Sequence, residues 1–351
     1  MNAPTSDPVA ADEPDGRPEI PTRLLVHALV REDGTVDAGE LYTVAELLGM
    51  TGQQVRLCVK RLVDEGRFTQ EGRGRRATLR AVADVTGSLA PDAAYVRHAC
   101  RQDAGLAPWD GTWHLFAFAI PETRRSARDA LRERLLHLGA APVQSGLYVT
   151  ANPVTGLVRA EAGRLGVLDA LTCLSSGDLR IGDITAPRAL AAALWPLEEV
   201  ASRHTRLAAF AERCLERLAR GPEMPEAERL TTFVELAAHF TAAMTPDPLL
   251  PPELLPQPWP GTRARDLTAA CLRRLRTGRP AGDAPAPRLF ALYADALEPA
   301  AAEGPSDRAP QWSGGRARTA DTVSDTGRVP PDQRHGTAGR RSSNQGEVCP
   351  T

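Results

Sequence analysis

Gln53, Gln54, Arg56, Lys60 and Arg61 crowd one short stretch, "TGQQVRLCVKRLVDEGRF", and Arg73, Arg75 and Arg76 follow in "EGRGRRATLR". Side chains of these types share one chemistry. A glutamine amide matches the N6/N7 edge of adenine, an arginine fork matches O6/N7 of guanine, and lysine or arginine holds phosphate. From Thr51 to Arg80 there are eight basic residues against three acidic ones, a local +5 in a chain whose formal net charge is −2. The whole molecule is therefore no general trap for polyanions, and any such function belongs to this segment.

The elements that would position these residues are legible around them. Val55, Cys58, Val59, Leu62 and Val63 recur at spacings of three and four, which predicts a helix facing a core. Gln53, Gln54, Arg56, Leu57, Lys60 and Arg61 then point away. Two helix starts are expected close together, Thr43 with Glu46 and Thr51 with Gln54, each a capping pair, with Gly49 ending the first helix after barely two turns. An earlier helix begins at Thr22 in "TRLLVHALVRE". After Gly66 the period becomes two, and Phe68, Ala77 and Leu79 flank a Gly72/Gly74 turn, which predicts a hairpin with an arginine-rich tip. Three helices and a hairpin describe a winged helix-turn-helix. A solvated face is the bland alternative for the outward residues of the third helix. The second helix of a tight pair, however, is the one that enters a major groove. Arg61 could equally pair with Asp64 or Glu65, and the hairpin arginines suit phosphate contacts.

Beyond a less patterned connector, Trp113 to Ile120 reads as a strand, Arg124 to Leu138 as a helix and "VQSGLYVT" as one further strand. "VTGLVRAEAGRLG" and "DALTCLSSGDLRIGD" supply a second helix and closing strand, which suits a ferredoxin-like domain. From Pro196 three apolar stripes predict a helical bundle, and "TPDPLLPPELLPQPWPG" is expected to wrap against it. Past Pro280 only "PRLFALYADAL" has helical period, and residues 300–351 lack pattern. The fold class expected is a multidomain α+β chain: a tail at 1–20, a winged helix at 21–82, a connector at 83–108, a ferredoxin-like α/β middle domain at 109–187, an all-α C-terminal domain at 188–279 and a mostly disordered tail at 280–351.

The six cysteines stand singly, with no CxxC pair and no histidine at ligand spacing, so free thiols in a reducing cytoplasm and no metal are expected. His27, His98, His114, His137, His204 and His239 read as structural. No signal peptide, membrane span, phosphate-binding loop, nucleophile elbow or dinucleotide motif is present. No catalytic residue and no cofactor are expected.

With these elements in place the chain resembles the PaaX family of bacterial transcriptional repressors over most of residues 22–277. The likeness is carried by "QQVRLCVKRLVDEGRFTQEGRGRRATL", "PWDGTWHLFAFAIPETRRSARDALRERLLHLGAAPVQSGLYV" and "DPLLPPELLPQPWPG". The resemblance implies a homodimeric repressor of catabolic genes that binds a double-stranded DNA operator and, in some members, releases it on binding an aryl-CoA thioester. Trp109, Trp113 and Trp259 could then line a pocket for an acyl-CoA effector, although aromatics beside apolar strands serve equally as core. The middle segment also looks like the small ferredoxin-like subunits of CRISPR adaptation complexes, some of which are metal-dependent nucleases. That alternative needs a carboxylate at the end of the first strand, where this chain has Ala119, with Glu122 only after the proline.

Overall fold

The computed structural model describes residues 19–82, 93–219, 224–277 and 286–297. The tail read at 1–20 lies outside them except for Glu19 and Ile20, as do the first part of the connector and, of the tail read at 280–351, all but residues 286–297. Among the described residues there are eleven helices and two antiparallel sheets. None of these helices is long and apolar enough to cross a membrane.

The N-terminal module contains α1 (Thr22–Ala28), β1 (Thr35–Asp37), α2 (Ala38–Leu47), α3 (Gly52–Asp64), β2 (Phe68–Glu71) and β3 (Thr78–Ala81), with the strands ordered β1-β3-β2. Thr43 is not a cap. Asp37, leaving β1, accepts from Glu40 N at 2.8 Å and starts α2 five residues before Thr43, whose hydroxyl donates to Gly39 O inside the helix. An aspartate at a strand exit is already extended, as an N-cap must be, so it wins over a threonine one turn later. Gly49, at φ +77°, makes the left-handed turn that separates α2 from α3.

The connector holds a helix, α4 (Ala93–Asp103), which the sequence reading passed over. Next come β4 (Trp113–Phe118), α5 (Arg125–His137), β5 (Ala141–Gln144), β6 (Leu147–Thr150), α6 (Thr155–Arg164) and β7 (Leu171–Ser176). "VQSGLYVT" is thus a hairpin turning at Gly146 rather than one strand. The sheet order is β5-β6-β4-β7, every pair antiparallel. Strand alternation divides its side chains: Phe116 and Tyr148 meet α5 and α6 in one apolar cluster, while Trp113, Leu115 and Val149 face a second.

That second face is covered by α7 (Pro187–Leu194) with Trp195, and by the proline-rich strap through Leu250, Leu254, Leu255 and Trp259. The strap follows α8 (Leu197–Ala219) and α9 (Glu226–Met244) and precedes α10 (Pro260–Thr277). Gly139, at φ +76°, lets the strap close: a Cβ there would lie 2.3 Å from Pro248 O. The presumed tail contributes α11 (Arg288–Leu297), whose Phe290 stacks on Phe233 of α9. Just before it, residues 286–288 hydrogen-bond to residues 30–32 as a short extended bridge, Arg288 N donating to Val30 O at 2.7 Å. The N-terminal module also rests on α9 through α1 and α2.

A buried polar chain fastens these parts together. Arg265 of α10 makes a two-pronged pair with Asp103 of α4, at 2.6 and 2.8 Å, and lies 3.7 Å from Asp247 at the start of the strap. His204 Nε2 of α8 lies 2.7 Å from Asp247 Oδ2. Burial alone would raise the Asp247 carboxyl, but the His204 contact, the nearby Arg265 guanidinium and the Leu249 N–H hold it below the usual carboxylate range. Asn152, after β6, donates to the strap carbonyls of Pro248 and Leu249, and Gln102 donates to Leu249 O as well.

Two outcomes follow from buried charge. Asp103→Ala strips the Arg265 guanidinium of its two-pronged partner, leaving Asp247 at 3.7 Å, and lowers stability by about 3–5 kcal/mol in urea unfolding, whereas adding Arg265→Met restores most of the loss. His27, buried against Phe68 with neither ring nitrogen partnered, has its pKa lowered from 6.5 to about 4 by desolvation, with Arg23 and Arg67 adding to it. The unfolded chain takes this proton near pH 6.5 and the folded one only near 4. Stability from this group is therefore complete above about pH 6.5 and falls as pH drops toward 4, by on the order of 3 kcal/mol. The difference between wild type and His27→Leu in urea midpoints at pH 7.5, 6 and 5 isolates it.

Candidate nucleic-acid interface

Thr51 caps α3 with a reciprocal pair: Gln54 N donates to Thr51 Oγ1 at 3.2 Å, and Thr51 N donates to Gln54 Oε1 at 2.7 Å. The cap fixes the N-terminal turn of the helix. It also occupies the Gln54 carbonyl oxygen, which accepts from the Thr51 hydroxyl too, so Gln54 retains its amide N–H groups for an outside partner.

Val55 and Leu62 are buried, and Gln53, Gln54, Arg56, Lys60 and Arg61 are all exposed. Among the described residues no ion pair engages Arg56, Lys60 or Arg61. Arg61 takes neither of the acidic partners open to it in sequence: Glu65 pairs instead with Arg23 of α1 at 3.0 Å. The outer face of α3 thus keeps three uncompensated cations.

The hairpin stands beside this face. A cleft of about 320 Å³ is lined by Tyr42 of α2, by Arg56, Lys60 and Asp64 of α3, and by Gln70 and Arg73 of the hairpin. The structure therefore brings Arg56, Lys60 and Arg73 around one hollow. Arg73 and Arg76 are exposed. Arg75 is held differently: it pairs with Glu46 of α2, and its guanidinium lies 5.4 Å over the Tyr42 ring. An exposed pair of this kind contributes well under about 1 kcal/mol, so a phosphate can displace Glu46. Nothing in the sequence announced that pair, which joins residues 29 apart. Leu57, 58% exposed in the middle of the α3 face, was also passed over as a site residue.

The three tryptophans lie elsewhere, on the second face of the central sheet, where Trp113 and Trp259 belong to one apolar cluster and Trp109 packs against it. Trp113 is buried, edge-on to the half-buried Trp109 and stacked on Trp195. Trp259 is buried in the strap against His204. After β4, Ala119 is followed by Glu122, which is paired with Arg125 and Arg128.

Two family descriptions match the chain, "PaaX protein central Cas2-like domain" over residues 106–188 and "PaaX-like protein C-terminal domain" over residues 195–281. No curated protein matches it. Among solved structures it is similar to "Uncharacterized protein Rv0674 from Mycobacterium tuberculosis", at 22% identity and a TM-score of 0.42, covering 73% of this chain and 95% of that one.

If α3 and the hairpin meet DNA, their residues divide by role. Arg56→Ala costs about 1–3 kcal/mol and relaxes preference at one base position, while Arg76→Ala weakens all sequences alike and lowers the slope of log affinity against log salt by about one. Arg75→Ala costs less than Arg76→Ala, because phosphate must first displace Glu46. Gel shifts at several salt concentrations, on specific and scrambled duplexes, read all three.

Proposed function

Because the chain belongs to the PaaX family, we propose that it is a DNA-binding transcriptional regulator that acts in the cytoplasm as a dimeric repressor. In this reading α1–α3 with the β1-β3-β2 sheet form a winged helix-turn-helix, α3 enters the major groove, and the β2–β3 hairpin is the wing. The β4–β7 sheet with α5 and α6 is a ferredoxin-like domain that supports it. The observation that carries the reading is the exposed α3 face of Gln53, Arg56, Lys60 and Arg61, of which Arg56 and Lys60 share one cleft with Arg73 and outnumber its single carboxylate, Asp64. In a chain of net charge −2 that concentration of free cations has a polyanion as its natural complement.

Dimerisation enters because one thirteen-residue helix reads too few base pairs to single out a genomic site. Two copies on an inverted repeat, with half-sites about 10–10.5 bp apart or a multiple of that, supply the rest. The regulatory half of the proposal is an acyl-CoA thioester that binds outside the DNA-reading module and favours the DNA-free arrangement. Trp109 is the tryptophan of the three that remains partly exposed for such a ligand. A nuclease reading has less support, since Ala119 stands where a metal-binding carboxylate would be needed and Glu122 is engaged by two arginines.

Selection from a random duplex pool, followed by footprinting and light scattering on the selected operator, tests the proposal. The expected result is an inverted repeat protected by a dimer, with affinity lowered about 5–150-fold by one member of an acyl-CoA panel. Recovery of no sequence preference would overturn the regulator reading. A preference that no thioester alters would overturn the effector alone.

A further inference from the structure

Leu57 departs from the rest of its surface. Gln53, Leu57, Lys60 and Asp64, spaced four, three and four, form one line along α3 opposite buried Val55 and Leu62, and all four are exposed. Three of them are polar, and the fourth is a leucine at 58% exposure in the middle of the line. Single exposed leucines are ordinary on protein surfaces. This one is set apart by position: it takes no part in the core stripe, so a polar residue would serve the fold equally well, and Arg56, Lys60 and Arg61 surround it.

We infer that Leu57 packs against the 5-methyl group of a thymine in the major groove and so selects T·A over C·G at one position of each half-site. The inference rests on the reading of α3 as the groove-facing helix and adds a specificity residue to it. The thymine methyl is the apolar feature among the base-pair edges exposed there, while cytosine offers an amino donor that leucine cannot satisfy. Charge argues for DNA as the occupant. Arg56, Lys60 and Arg61, with Arg73 across the cleft, outweigh the one carboxylate on this line, Asp64, so the face attracts a polyanion and would repel the same face of a second copy.

The test replaces thymine by deoxyuridine, which lacks only that methyl group, at each position of an operator recovered by selection from random duplexes. Wild-type protein is expected to lose about fourfold in affinity at one symmetry-related pair of positions per pair of half-sites, the equivalent of one buried methyl-sized group. Leu57→Ala is expected to bind thymine and deoxyuridine operators equally, with an unchanged melting temperature, and Leu57→Met to keep the discrimination. If Leu57→Ala loses affinity by the same factor on both operators, α3 still reads DNA but the thymine contact is overturned. If Leu57→Ala instead changes the sedimentation coefficient of the free protein and leaves the discrimination intact, the face is a protein contact and the inference is overturned. If wild type shows no sequence preference in the selection, the regulator reading itself has failed, an outcome distinct from either.

Discussion

A guanidinium can sit inside a protein only where carboxylates meet it, and the described fold is arranged around that requirement at Arg265. Its two main partners come from different elements: Asp103, 162 residues earlier at the end of α4, and Asp247, where α9 gives way to the strap. His204 of α8 completes the chain of contacts to Asp247. Filling the same volume with apolar side chains would be no less stable. What the charges add is registry. Apolar surfaces slide over one another at small cost, whereas a two-pronged Asp–Arg pair fixes which turn of α4 meets which turn of α10.

That registry explains how the central sheet comes to be covered on both faces. Once Asp247 is fixed, the strap must leave α9 toward the sheet, where Asn152 and Gln102 catch its first carbonyls and Gly139 lets it approach without a side chain in the way. Leu250, Leu254, Leu255 and Trp259 then complete the apolar layer begun by Trp113, Leu115 and Val149. The tryptophans that looked from sequence like a ligand's walls are mostly parts of this layer. Aromatic residues at strand ends serve packing first.

How much of this was legible depended on how local its causes are. The third helix, its Thr51 cap, the Gly49 turn and the outward set Gln53, Arg56, Lys60 and Arg61 all follow from residues within one or two turns of each other, and the structure has them as the sequence implied. The burial of the strap was legible too, because a run so rich in leucine and proline can be neither helix nor free linker. The misses share one character. β1 is three residues long and exists only because β3, about forty residues later, pairs with it. The Asp37 cap depends on that strand, so the start of α2 was misplaced toward Thr43. α4 did carry a stripe, Tyr95, Val96, Ala99 and Cys100, but its polar flanks hid it until α10 and α11 supplied the partner surface. The Glu46–Arg75 pair and the Arg265 chain join residues that no window would compare.

The same long-range contacts bear on how a signal could reach DNA. The N-terminal module is not on a free tether: α1 and α2 rest on α9, and the bridge between residues 30–32 and 286–288 adds a second attachment at the start of α11. Two attachments restrict rotation more than one would, so the module and the bundle hold α3 in a defined direction. A ligand elsewhere in the chain can then act in only one way. It must bind more tightly to an arrangement in which α9 or α11 has shifted, because equal affinity for both arrangements moves no equilibrium however tight the binding. Driving such a switch from 1:99 to 99:1 takes a differential affinity of about 10⁴-fold, which few surface contacts supply. The elements able to provide it are those through which many buried groups move at once, and α9, carrying Phe233 against Phe290 on one side and the N-terminal module on another, is the helix with that reach.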